Sequence, residues 1–275
     1  MSDSYAAWIG PVQTRRDYLT ERLVASYRAS LGPHLADLSA VPLGIHWCLS
    51  PDIEPALALG EDGHPRKGGF LPPIPLRRRM WAGGEVQFSG DLVAGAEVTR
   101  VSRVQSVTEK QGRSGPLAFV AVEHDYQVDS RTLIKERHDI VYREGDVGGA
   151  AAAPRPESAG RSDVDWTVDA TSVLLFRYSA LTFNGHRIHY DEPYARTVEK
   201  YAGLVIHGPL QATLLLNIAA AAASRRPTRF AYRGVQPMIA PQSMHVRARV
   251  DGAAVHCWTE NPEGRVGMTA QADFT

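Results

Sequence analysis

Gly208-Pro209-Leu210-Gln211-Ala212-Thr213-Leu214-Leu215-Leu216-Asn217-Ile218-Ala219-Ala220-Ala221-Ala222-Ala223-Ser224 is the stretch that decides the fold. After Gly208 only Gln211, Thr213, Asn217 and Ser224 interrupt an apolar run, so the segment has no polar face to offer water. That pattern predicts a helix buried nearly all round. Pro209 suits the first turn, where a missing N–H is harmless, and Arg225, Arg226 and Pro227 close the far end with the charge a helix C-terminus favours. Four strand-like segments follow, at residues 228–236, 243–251, 254–259 and 266–274, ready to wrap the helix.

Upstream, residues 165–181 suggest a short helix capped by Thr171 or Ser172, and residues 193–201 a second one with Pro193 near its start. The first half of the chain opens with apolar positions recurring at helical steps over residues 14–30 and stopping at Gly32-Pro33. A Pro/Gly-rich passage, residues 51–75, reads as a long loop, and loops of that length tend to carry function. Residues 81–88, 96–109, 117–129 and 132–142 are rich in Val, Thr and aromatics, predicting four antiparallel strands joined by hairpins. The domain boundaries expected from this pass are a first unit at 1–143, a linker at 144–163 and a second unit at 164–275. Strands and helices occur in comparable proportion in both units, so a tandem of similar α+β folds is the economical expectation.

With 275 residues the chain is long enough to bury a large core without staples. Lys+Arg and Asp+Glu both number 30, so no global field draws nucleic acid, and any anion must be held by a local cluster such as Arg77-Arg78-Arg79. Cys48 and Cys257 are too few for a disulfide framework. No segment approaches a membrane span and no leader precedes the first helix, which makes the cytoplasm the expected compartment, with neither membrane nor nucleic acid as partner.

Chemistry concentrates in Leu181-Thr182-Phe183-Asn184-Gly185-His186-Arg187-Ile188-His189-Tyr190-Asp191. His186 and His189 titrate near neutrality when unperturbed, and Asp191 is close enough in sequence to orient one of them. Gly208 either permits tight packing or exposes first-turn N–H groups to a developing negative charge. A different chemistry is also open: His189-Tyr190-Asp191 with His245 or His256, and then Arg265, imitates the two-His-one-carboxylate set of iron(II) oxygenases.

Three motifs carry a resemblance: the segments 183–191 and 203–210, and Pro75-Leu76-Arg77-Arg78-Arg79-Met80-Trp81-Ala82-Gly83-Gly84. Together they resemble the MaoC-like double-hotdog hydratases and dehydratases, among them mesaconyl-CoA and itaconyl-CoA hydratases and hydroxyacyl-thioester dehydratase type 2. The resemblance implies a tandem hotdog, each unit an antiparallel sheet wrapped around a long helix. It implies a non-catalytic first unit shaping the substrate tunnel and a catalytic second unit. The substrate is an acyl-CoA or acyl-carrier-protein thioester, with coenzyme A or phosphopantetheine entering only as part of it, no metal, and a monomeric double hotdog or a homodimer. Laid on the family pattern Asp-x-Asn-Pro-x-His, His189 falls on the catalytic His, His186 on the Asn and Asn184 on the Asp. Asn cannot take up a proton, so the second proton carrier is open between His186 and Asp191. The expected division of labour has His189 activating water, Asn184 positioning it and the Gly208 N–H holding the enolate oxygen. Arg77, Arg78 and Arg79, or Arg225 and Arg226, would take the phosphates, with Trp81 and His207 also contacting substrate. A non-catalytic acyl-thioester binding protein is the third class that the Asn184 departure leaves open.

Overall fold

In the computed structural model, residues 3–112, 115–144 and 160–274 are described. Most of the expected linker, at 145–159, lies outside the described residues. Helix α4 (Gly208–Ala223) is buried continuously from Leu210 to Ala220. Its polar side chains all find partners, as burial demands. Gln211 Oε1 accepts from Thr259 Oγ1 at 2.7 Å, and Thr213 Oγ1 lies 3.2 Å from the Tyr178 hydroxyl. Asn217 accepts from the Ala36 N–H at 3.1 Å and donates to the Leu43 carbonyl at 3.1 Å. The helix core is thereby tied to residues of the first half.

Ten strands form one antiparallel sheet. The first half contributes β1 (Val12–Tyr18), β2 (Arg78–Phe88), β3 (Glu97–Gly112), β4 (Gly115–Val128) and β5 (Arg131–Arg143). The second contributes β6 (Val164–Ala170), β8 (Arg229–Gly234), β10 (Gln242–Asp251), β11 (Ala254–Glu260) and β12 (Val266–Asp273), while β7 (Leu204–Val205) and β9 (Ile239–Ala240) pair separately. The order β1-β3-β4-β5-β2-β8-β12-β11-β10-β6 reads the same from either edge when each half is numbered by its own strands. This is the tandem hotdog topology, joined where β2 pairs with β8 at Val86↔Phe230.

The halves differ in their helices. In the second, α4 fills the concave side of β10, β11 and β12. Among the described residues of the first half the longest helix is α1 (Glu21–Leu31), which packs against α2 (Ser172–Thr182). The helix expected at 14–30 is therefore split. Residues 12–18 alternate exposed and half-buried with period two, as an edge strand does, and the helix starts only after Thr20, whose Oγ1 accepts from the Leu23 N–H at 3.1 Å. Residues 164–170 are likewise strand, ahead of a helix that Thr171 caps. Hairpins join β3 to β4 and β4 to β5, but β2 pairs with β5 and β8 instead of its sequence neighbour β3.

The 51–75 loop crosses to the second half and docks on its backbone. The Arg187 N–H donates to the Asp62 carbonyl at 2.9 Å, and the Arg187 guanidinium to the Glu61 carbonyl at 3.0 Å. Gly63 makes this approach possible: at φ +86°, a Cβ there would sit 2.0 Å from the Gly185 carbonyl oxygen. Gly63→Ala is accordingly expected to lift the loop and lower turnover at least tenfold, with a melting temperature within a few degrees of wild type. Unchanged kinetics in that variant would count against the docking.

Candidate active site

After α2 the chain turns through Phe183 in the left-handed region (φ 52°), and the Asn184 N–H returns to the Ser179 carbonyl at 2.8 Å. Asn184 Oδ1 accepts from the His186 N–H at 3.0 Å, leaving the amide nitrogen as the end still to be used. A single 3-10 turn, Arg187–His189, then delivers His189 inward. Its Nδ1 is 2.7 Å from the Val205 carbonyl, which can only accept, so Nδ1 carries the proton and Nε2 keeps the lone pair. Burial drives the His189 pKa down to about 4, although the Val205 bond opposes the shift, so the ring is neutral at neutral pH. His207 stacks on it at 3.7 Å and 17°, and His207 Nε2 meets Ser179 Oγ at 2.8 Å. His207 is a fully buried support for the His189 ring and not a surface for substrate, which corrects the expectation for it.

The docked loop adds two residues that sequence reasoning missed. Asp62 Oδ2 lies 2.9 Å from His64 Nδ1, and the His64 ring sits 4.1 Å from that of His186. His186 is in turn 5.4 Å from His189. Burial, and then the neighbouring His64, push the His186 pKa well below its ordinary value. Burial and the Arg79 charge lower that of His64, with Asp62 opposing. Donor atoms of Asp62, His64 and His186 lie within 4.8 Å of one another, close enough to share a cation. The only hint in sequence was the length of the loop.

Asp191 does not join the histidines. Its Oδ1 caps α3 (Glu192–Thr197) by accepting from the Tyr194 N–H at 3.0 Å, and its Oδ2 pairs with Arg187 at 2.7 Å. The iron-binding set is dispersed for the same reason, with His245 paired to Asp165 at 3.1 Å on the outer strands. Of the arginines, Arg78 is buried: its Nε faces Glu199 at 3.4 Å and its Nη2 donates to the Glu199 carbonyl at 2.6 Å, linking the two halves. It is therefore occupied and not a phosphate ligand. Arg225 and Arg226 stand beyond the C-terminal end of α4, on Phe274 and Asp91, some 24 Å from Gly208 at the usual helical rise. Arg77 is exposed and Arg79 half-buried, both on the cleft wall.

A bulge in β2 beside Ala82 turns Trp81 against Tyr232, stacked at 4.6 Å and 27°. The indole also covers Gly208, where a Cβ would meet it at 2.9 Å, so close packing is one reason for glycine there. The first-turn N–H groups are a second, since they have no intrahelical acceptor. Asn184, His186, His189, Gly208, Trp81 and Arg79 line one cleft between the halves, about 2200 Å³ in volume. Ordinary small-molecule pockets run to roughly 300–1,000 Å³, so this one has room for a long-tailed ligand. No helix among the described residues is long and apolar enough to cross a membrane.

The family model for hydroxyacyl-thioester dehydratase type 2 matches residues 44–240. Mesaconyl-C(4)-CoA hydratase of Chloroflexus aurantiacus is 38% identical over 99% of both chains. The mitochondrial hydroxyacyl-thioester dehydratase type 2 of Schizosaccharomyces pombe is 24% identical over 84% of this chain and 88% of its own. That mitochondrial name, shared by the Saccharomyces cerevisiae relative, overturns the cytoplasmic expectation, which rested on composition and the first residues alone. A MaoC-like dehydratase structure from Phytophthora capsici shares the fold with a TM-score of 0.69, at 16% identity over 100% of this chain and 99% of that one. The chain belongs to the hydroxyacyl-thioester dehydratase type 2 family of MaoC-like double-hotdog enzymes, hydro-lyases that add or remove water across the α,β double bond of an acyl thioester.

Proposed function

We propose that this hydro-lyase acts on the thioester of a branched unsaturated dicarboxylic acid, of the mesaconyl type, with His189 as the base toward water. The observation that carries the role of His189 is the 2.7 Å bond from Nδ1 to Val205, which fixes the tautomer and leaves Nε2 free on the cleft wall. A water held by the Asn184 amide nitrogen gives a proton to Nε2 while its oxygen attacks the β-carbon. The π electrons move to the thioester oxygen, and the Gly208 N–H at the positive end of α4 stabilises that enolate. The second half, 164–275, carries these groups, and the first half, 1–143, walls the tunnel along which the coenzyme A or carrier-protein tail runs. Arg77, exposed at its edge, serves a phosphate of that tail.

Support for the dicarboxylic substrate comes from Arg79 together with the 38% identity to a mesaconyl-C(4)-CoA hydratase. Arg79 has no carboxylate partner among the described residues, yet its charge is felt by Asp62, His64 and His186. A cation placed so near the reacting carbons suits a distal substrate carboxylate, and guanidinium matches carboxylate geometry.

Loss of the conjugated enoyl absorbance reads hydration directly. His189→Ala is expected to lower kcat by about 10²–10⁴-fold with an unaltered circular dichroism spectrum, and near-normal turnover would exclude it as the base. Because the base works only when neutral and its pKa is lowered to about 4, kcat/KM should hold its plateau well below pH 6.5 and fall as pH approaches 4. An acid limb centred at the ordinary histidine value would contradict a buried base. Arg79→Gln should cost roughly 10–100-fold in kcat/KM for a mesaconyl-type thioester, the worth of a charged hydrogen bond. The same variant should leave a crotonyl thioester within threefold, and equal losses on both would refute the carboxylate contact.

A further inference from the structure

Hydration needs two proton movements, one from water and one to the α-carbon. Asn184 has no proton to exchange, and both Asp191 oxygens are engaged by Arg187 and the α3 backbone. We propose that the Asp62–His64 pair, brought in by the first half's loop, is the second proton carrier of the site and exchanges the α-carbon proton through His64 Nε2. This rests on the hydration reading and extends it: the first half supplies chemistry as well as a wall.

The geometry is that of a carboxylate backing an imidazole. Asp62 holds His64 twice, with Oδ2 2.9 Å from Nδ1 and Oδ1 accepting from the backbone N–H at 3.0 Å. Nε2 is then the ring atom left to exchange a proton, as when a third group orients a general base. The loop has no freedom to drift, since Gly63 rests against Gly185 and the Asp62 carbonyl is bonded to Arg187. His64, His186, His189 and His207 stand in file, with successive ring centroids at 4.1, 5.4 and 3.7 Å. The groups acting on His64 are Asp62, Asp52, Arg79 and His186.

The step balances with one proton in transit. His189 Nε2 takes the proton of the attacking water, whose O–H bond breaks as the C–O bond forms at the β-carbon. Water in the cleft carries the proton past His186 to His64 Nε2, because these rings meet by face and edge and not by hydrogen bonds between their nitrogens. The enolate collapses as His64 delivers it to the α-carbon, and every ring ends neutral. Dehydration runs the same path backwards. The trio Asp62, His64 and His186 is also compact enough for a cation, but two features favour the proton role. Asp62 Oδ2 accepts from His64 Nδ1, which engages atoms a cation would need, and the Arg79 charge bears on all three residues, opposing a second cation.

The test compares the full-length protein with His64→Gln and Asp62→Asn on a mesaconyl- or crotonyl-type thioester. His64→Gln is expected to lower kcat about 100-fold or more with KM within threefold. It should slow exchange of the α-hydrogen of the hydrated thioester in D2O by the same factor. Asp62→Asn should lower kcat roughly tenfold and move the acid limb of kcat to lower pH, because the carboxylate favours the charged ring. A merely structural pair would instead move KM and the melting temperature. Active wild type with either unimpaired α-exchange or more than half its kcat in His64→Gln overturns the pair's role alone. Wild type inactive on every enoyl thioester overturns the hydration reading and the pair's role with it. Stoichiometric zinc or manganese in the purified protein, lost in His64→Gln, would make the trio a metal site and overturn the proton role.

Discussion

The structure depends on burying a sixteen-residue helix that has no polar face. A segment of that kind cannot sit on a sheet surface, because each side open to water would leave apolar area exposed. Strands β10, β11 and β12 cover one side, and α2 together with residues 36–43 of the first half covers the other through Tyr178 and Asn217. The polar side chains of α4 therefore fix how the two halves meet. The N-terminal end of α4 emerges at the cleft because its burial begins at Leu210, one turn before which the chain is still lined up with β7 and His207.

Among the described residues, that constraint is met in only one half. The first half keeps the sheet and its order, but its helix is short and its long loop takes another course. Freed from covering a central helix of its own, the 51–75 segment reaches across and meets the 184–189 turn at a glycine-to-glycine contact. The seam where β2 pairs with β8 is equally tight. A Cβ at Gly84 would meet the Arg137 carbonyl at 2.2 Å and the Tyr232 hydroxyl at 2.4 Å, so the strand can carry Trp81 to Gly208 only with small residues behind it.

Local pattern made α4, the eight strands β2 to β5, β8 and β10 to β12, the cap at Thr171, the first-turn Pro209 and the histidine loop legible in sequence, with β2 beginning three residues earlier than read. It failed where one pattern serves two periods. Tyr18 and Leu19 fit a helical stripe, yet residues 12–18 pair with β3 from Arg103 to Glu97, and pairing outweighs propensity at an edge. Asp191-Glu192-Pro193 was a helix-start signal in plain view, since an Asp before a first-turn proline is more at home as a cap than as a partner for a histidine five residues back. Arg78 and Asp62 were beyond any local reading. The partners Glu199 and His186 lie more than a hundred positions away, and only the crossing of the two halves brings them together.

Proton affinity along the imidazole file follows from what stands behind each ring. His189 is backed by a neutral carbonyl and His207 by a hydroxyl, so burial dominates, and neither ring has a negative charge to hold a proton on it. His186 is flanked by other imidazoles and is depressed further by them. His64 alone of the four has a carboxylate in contact, which opposes the burial cost and the Arg79 charge. A proton entering at His189 therefore gains stability on moving toward His64. The Arg79 charge works against that gain by lowering the proton affinity of His64.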